Sequence, residues 1–110
     1  MPTIRFPREE REAILKRLRE AMQGSLWTPC ITLEFDGSIL LIKVQKLGLS
    51  LIRYQERQTE THLIYEALDE KIAWAHRPFR EEVESFLLNA VAAAGGSAVR
   101  ERNSLLTVSG

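Results

Sequence analysis

An α+β fold is predicted by three observations on this chain. A pattern of helical period runs over residues 7–23, short alternating runs follow one another between Cys30 and His76, and a second helical pattern begins at Pro78. Consecutive strands joined by short turns pair antiparallel, and helices lying outside the strand series segregate to one face of the sheet. The expected order is an N-terminal helix, an antiparallel meander of about five strands, an amphipathic helix and a C-terminal strand. All of it falls in one domain, residues 1–110, a length that buries roughly two thirds of the surface of the unfolded chain.

In the first helix, Ile14, Leu15, Leu18, Ala21 and Met22 share one side. Arg8/Glu12, Glu12/Lys16 and Lys16/Glu20 form opposite-charge pairs four residues apart. Gly24 and Ser25 end the helix, and Pro29 forbids its continuation. Asp36-Gly37, flanked by alternating runs, signals a tight hairpin that pairs Phe35 with Ser38. Ile31, Leu33, Phe35, Leu40, Ile42 and Val44 then share an inner face; Thr32, Glu34, Ile39, Leu41 and Lys43 share the outer one. A turn near Leu47-Gly48 opens a third strand with Ile52 and Tyr54 inward and Leu49, Leu51 and Arg53 outward. After a polar loop, 55–60, a second hairpin is expected over 61–76 about Leu68-Asp69-Glu70-Lys71. It sets Tyr65 opposite Trp74 and adds Leu63, Tyr65, Ile72 and Trp74 to the inner face.

Pro78 suits the first position of the second helix, where Phe79, Val83, Phe86, Leu87, Ala90, Val91 and Ala94 form the apolar stripe. Gly95-Gly96 stops it, and a last strand is expected over 98–108 with a turn at Arg102-Asn103.

The composition excludes several function classes. Fifteen basic residues balance fifteen acidic ones, so there is no global field to attract nucleic acid or an acidic membrane. A single cysteine, Cys30, leaves no disulfide framework or cysteine-based zinc site and points to a reducing compartment. No signal-peptide core or membrane-length apolar run is visible, so a soluble cytoplasmic protein is expected.

Chemistry-bearing residues are sparse. His62 and His76 fall on opposite faces of the expected hairpin and lack a third metal ligand. Cys30 reads as a packed or edge thiol, and Asp36 and Asp69 as turn residues. Glu81, Glu82 and Glu84 complement the dipole of the second helix and disfavour an anion beside His76, Arg77 and Arg80. The arginines of the first helix alternate with glutamates, unlike a basic stripe that tracks phosphates. No catalytic, cofactor or metal-binding residue is therefore assigned.

The outer face of the meander is the functional lead, because it collects Ile39, Leu41, Leu49, Leu51, Ile64, Ala73 and Ala75 among charged neighbours. These residues predict a non-enzymatic protein-protein interaction module, a small adaptor, chaperone-like or regulatory protein that pairs as a homodimer or holds a protein partner. Its expected interface is Leu41, Leu49, Leu51 and Arg53, with Trp27 as an anchor. Two alternatives belong to other classes. One is a small-molecule or enzymatic pocket between the second helix and the sheet, lined by Tyr54, Tyr65, His76 and Arg77; the other is a nucleic-acid module using the first helix and Arg53.

Overall fold

The computed structural model describes residues 1–24 and 27–99. Its elements are β1 (Thr3–Pro7), α1 (Arg11–Met22), β2 (Ile31–Asp36), β3 (Ile39–Gln45), β4 (Leu49–Gln58), β5 (His62–Lys71), α2 (Arg80–Ala93) and β6 (Ser97–Val99). Short 3₁₀ segments precede β2 (Thr28–Cys30) and α2 (Trp74–Phe79). The strands form one antiparallel sheet in the order β2-β3-β4-β5-β1-β6. The α+β order of helix, antiparallel strands, helix and final strand is as expected. The part of the last strand expected beyond Val99, with its turn at Arg102-Asn103, lies outside the described residues, as does Ser25.

An additional strand stands ahead of α1. Ile4 and Phe6 alternate with Thr3, Arg5 and Pro7, and the pair is buried where β1 inserts between β5 and β6. Pro7 has no N–H to give the ladder, so it closes the strand, and α1 starts only at Arg11.

Both helices pack on the inner face. Ile14, Leu18 and Met22 of α1 and Val83, Leu87, Ala90 and Val91 of α2 join Leu33, Leu40, Ile42, Val44, Ile52, Tyr54 and Tyr65 in one core. Burying a side chain of that size is worth about 1.5–3 kcal/mol. α2 ends in a Schellman motif: Gly95 has φ +92°, its N–H reaches the Ala92 carbonyl at 3.2 Å, and the Gly96 N–H reaches Val91 at 2.9 Å. The Arg17 guanidinium donates to the Ala94 carbonyl at 2.8 Å, a cation at the negative end of the helix. A Cβ on Gly96 would stand 2.6 Å from the Arg5 carbonyl oxygen, so only glycine lets the helix exit approach β1.

The structure corrects the expected strands in three places. The first turn is Gly37-Ser38 rather than Asp36-Gly37, with Gly37 at φ +61° and Asp36 paired to Ile39. Register thus shifts by two residues, while every side chain keeps its predicted face. The expected loop at 55–60 is mostly strand: β4 runs on to Gln58, because inward-facing Glu56 and Gln58 find polar partners. The expected hairpin over 61–76 does not form. Its turn residues lie within β5, where Leu68 is an extra residue between Ala67 (opposite Tyr54) and Asp69 (opposite Arg53). Tyr65 faces Glu56 and Ile4, and Trp74 is exposed on the 3₁₀ segment instead of lying inward. Phe79 and Pro78 also belong to that segment, before the helix they were expected to open.

β2 is an open edge of the sheet. The Glu56 N–H bonds the Ser38 carbonyl at 2.9 Å, which fixes the ladder so that the backbone groups of Leu33 point away from β3. Arg19 of α1 covers this position, its guanidinium donating to the Leu33 carbonyl at 3.0 Å. A charged side chain laid along an edge is a barrier to strand addition.

Candidate interaction surface

With both helices on the inner side, neither covers the outer face of β2–β5. Leu41 and Leu51 sit there half-buried, and Leu49 is exposed. Cross-strand ion pairs thread between them: Glu34 with Lys43 at 2.7 Å, Arg57 with Glu66 at 2.8 Å, and Arg53 with Asp69. Arg53 is thus bound to a neighbour on its own sheet, and the leucines alternate with neutralised charge. Ile64 is buried on this side, between Arg57 and Arg5 in the ladder.

Four of the six large apolar residues exposed among the described residues lie at the β3–β4 turn or on the 3₁₀ segment before α2. Leu47, at the tip of the β3–β4 turn, is 88% exposed, and Trp74 is 82% exposed. Leu49 and Phe79 are exposed there at 45% and 44%, while Val99 on β6 and Leu68 on β5 are exposed at 53% and 51%. Leu47 holds φ +56°, a left-handed conformation costly for a side chain branched like leucine. Trp27 meets Phe79 edge to face with ring centroids 6.1 Å apart. Together with Lys46, Leu47, Ala75, His76 and Glu82, these two rings line a cleft of about 350 Å³. Of the residues predicted for an interface, the structure brings Trp27 and Leu49 to this end. Leu51 and Leu41 continue from it across the outer face, and Arg53 stands opposite Leu41 in the ladder.

A buried polar clamp holds the turn in place. His76 Nε2–H donates to the Lys46 carbonyl at 2.5 Å, while Nδ1 accepts from the Ser50 hydroxyl at 2.6 Å. Ser50 Oγ in turn accepts the Ala73 N–H at 2.8 Å. Gly48 passes against Ala73, where an added Cβ would come within 3.1 Å of the alanine methyl. His76 was expected on a strand of the second hairpin; it lies instead on the 3₁₀ segment, buried, with both ring nitrogens occupied. A Ser–His hydrogen bond is also part of nucleophilic sites, but here both side chains are buried and the hydroxyl oxygen is itself held by the Ala73 N–H. The pair fastens β3–β4 to the segment before α2.

Comparison with known proteins adds no relative. No protein-family model matches the sequence, and neither a curated protein nor a solved structure is similar to it.

Elsewhere the polar groups of the cavities bond within the chain. Space between α2 and the sheet, where Tyr54, Tyr65, His76 and Arg77 were expected to line a pocket, shrinks to about 10 Å³, the room of one water. A wider open groove of about 1000 Å³ runs between the start of α1 and the β2–β3 hairpin. On its floor the Glu56 carboxylate takes both guanidinium arms of Arg11 at 2.6 and 2.8 Å, Gln58 at 2.9 Å and the Tyr65 hydroxyl at 3.1 Å. The Arg11 hydrogen bonds hold the Glu56 carboxyl below its ordinary pKa despite burial. Burial, reinforced by the Glu56 charge, pushes the Tyr65 hydroxyl well above its ordinary value. Arg17 is likewise paired to Glu9 and Arg19 to a carbonyl, so the first helix presents its arginines mostly to its own chain. Among the described residues no group of three His, Cys, Asp or Glu could hold a metal, and no helix is long and apolar enough to cross a membrane.

Sequence reading missed Leu47, Trp74 and Phe79. One signal was available: a leucine at a turn position that favours glycine or asparagine has no local reason to be there.

Proposed function

We propose that this chain is a non-enzymatic protein-interaction module acting in the cytoplasm, where its lone Cys30 thiol stays reduced. Its contact surface centres on the end formed by Trp27, Leu47, Leu49, Trp74 and Phe79. The surface continues over Leu51 and Leu41 on the uncovered sheet face, with Arg53 at its far side. The observation that carries the reading is Leu47: almost wholly exposed, in a strained backbone conformation, on a turn clamped by buried hydrogen bonds. Strain that packing does not repay within the chain is characteristic of sites that meet something else. Scattered exposed apolar residues are ordinary, whereas a leucine, a tryptophan and a phenylalanine around one cleft match the aromatic-rich centre of a protein interface.

Photo-crosslinking in living cells tests this. A benzoylphenylalanine replacing Leu47 is expected to form protein–protein adducts, while the same residue replacing Glu12, exposed on α1, forms none. Absence of any adduct from position 47 refutes the reading.

A further inference from the structure

We infer that the occupant of the cleft is a second copy of this chain, docked about a twofold axis. The inference rests on the proposed interaction role and names its partner.

Plug and socket lie on the same patch. Leu47, 88% exposed, forms part of the wall of the cleft that Trp27 and Phe79 line, so a twofold axis through that end lets each copy set its Leu47 against the cleft of the other. Charge follows the same symmetry. Lys46 and Glu82 both line the cleft, both are exposed, and neither has an ion pair among the described residues. Around a twofold axis the lysine of each copy meets the glutamate of the other, two complementary contacts from one pair of residues. A partner of uniform charge would satisfy one and repel the other. Since the whole chain carries no net charge, two copies approach without general repulsion.

The area is also sufficient. Leu47, Leu49, Trp74 and Phe79 expose on the order of 500 Å² of apolar side chain per copy, taking ~150–250 Å² for each such group when fully exposed. A stable interface covers about 800 Å² per partner, of which about 65% is apolar in homodimers. The four residues therefore furnish the apolar centre such a contact needs.

Sedimentation velocity over a concentration series tests the inference on the full chain. The wild-type chain is expected to pass from monomer to dimer. Lys46→Glu alone and Glu82→Lys alone are each expected to weaken association about tenfold, because like charges then face each other across the axis. The double variant regains wild-type affinity. More diagnostically, the two single variants mixed together form a heterodimer tighter than either homodimer, since one then carries only acidic and the other only basic contacts at these positions. Both sites are exposed, so unchanged circular dichroism separates lost association from lost folding. Monomer at every concentration overturns the inference, as does a dimer insensitive to these reversals. If the position-47 crosslinker still captures a different protein, the interaction reading survives the loss of the second copy; if it captures nothing, both fall.

Discussion

Replacing Leu47 by asparagine should make the isolated chain more stable while removing its ability to associate. At φ +56° a leucine suffers the clash between Cβ and the following carbonyl, a cost of roughly 1–2 kcal/mol that asparagine largely avoids by bonding its own backbone. The opposing loss is small. A fully buried leucine is worth about 1.5–3 kcal/mol, but this one is 88% exposed, so the apolar contact forfeited is on the order of 0.3 kcal/mol. The net gain is about 0.5–1.5 kcal/mol, which raises Tm by roughly 2–6 °C in a domain of this size. Thermal unfolding followed by circular dichroism measures it, at a protein concentration low enough that association does not itself add stability. Sedimentation at high concentration then reports the companion loss of self-association. A variant whose Tm is unchanged or lower when dilute would refute the argument that Leu47 is held in place against its own preference.

Two further predictions concern the framework. Glu56→Gln should cost about 1–3 kcal/mol at pH 7, because charge-assisted bonds from Arg11 are replaced by weaker ones. Since the folded carboxyl has its pKa held down, its contribution is present above the unfolded value near ~4.3 and fades as pH falls through the folded one. Urea titrations at pH 7 and in acid should therefore show the gap between wild type and variant closing, and a gap equal at both would contradict the assignment. Gly96→Ala should destabilise by about 1–3 kcal/mol through collision with the Arg5 carbonyl, more than Gly95→Ala, where a Cβ meets open space and only the positive φ is penalised. Denaturant midpoints of the two variants, in the reverse order, would show that β1 can retreat from α2.

The outer and inner faces of β2, β3 and the first half of β4 were legible because a period of two survives any even slip. For the same reason the alternation could not reveal that Leu33 faces Ile42 rather than Leu40; only the position of Gly37 in its turn decides that. Beyond Tyr54 the pattern disappears, since Glu56 and Gln58 occupy inward positions and are made tolerable by Arg11 and Tyr65, residues remote in sequence. A reading from local pattern accordingly takes this stretch as a loop and pushes the next hairpin too far along the chain, carrying Trp74 inward with it. β1 offered only Ile4 and Phe6, two apolar residues too few to distinguish a strand from a tail. The helices were clear because their apolar stripes are long, and the first was misplaced only at its start. Trp27 and Leu49 could be singled out as unexplained apolar residues, but the cleft that brings Trp27 together with Leu47 and Phe79 depends on a buried histidine reaching from one loop to another.

Arg19 bears on how far any assembly can grow. A sheet with a bare margin recruits strand after strand and ends as a fibre, whereas the guanidinium resting on Leu33 denies that route along β2. A twofold contact at the Leu47 end, as proposed, consumes its own surface when two molecules meet. Under the proposed twofold pairing, growth through that contact would stop at two copies.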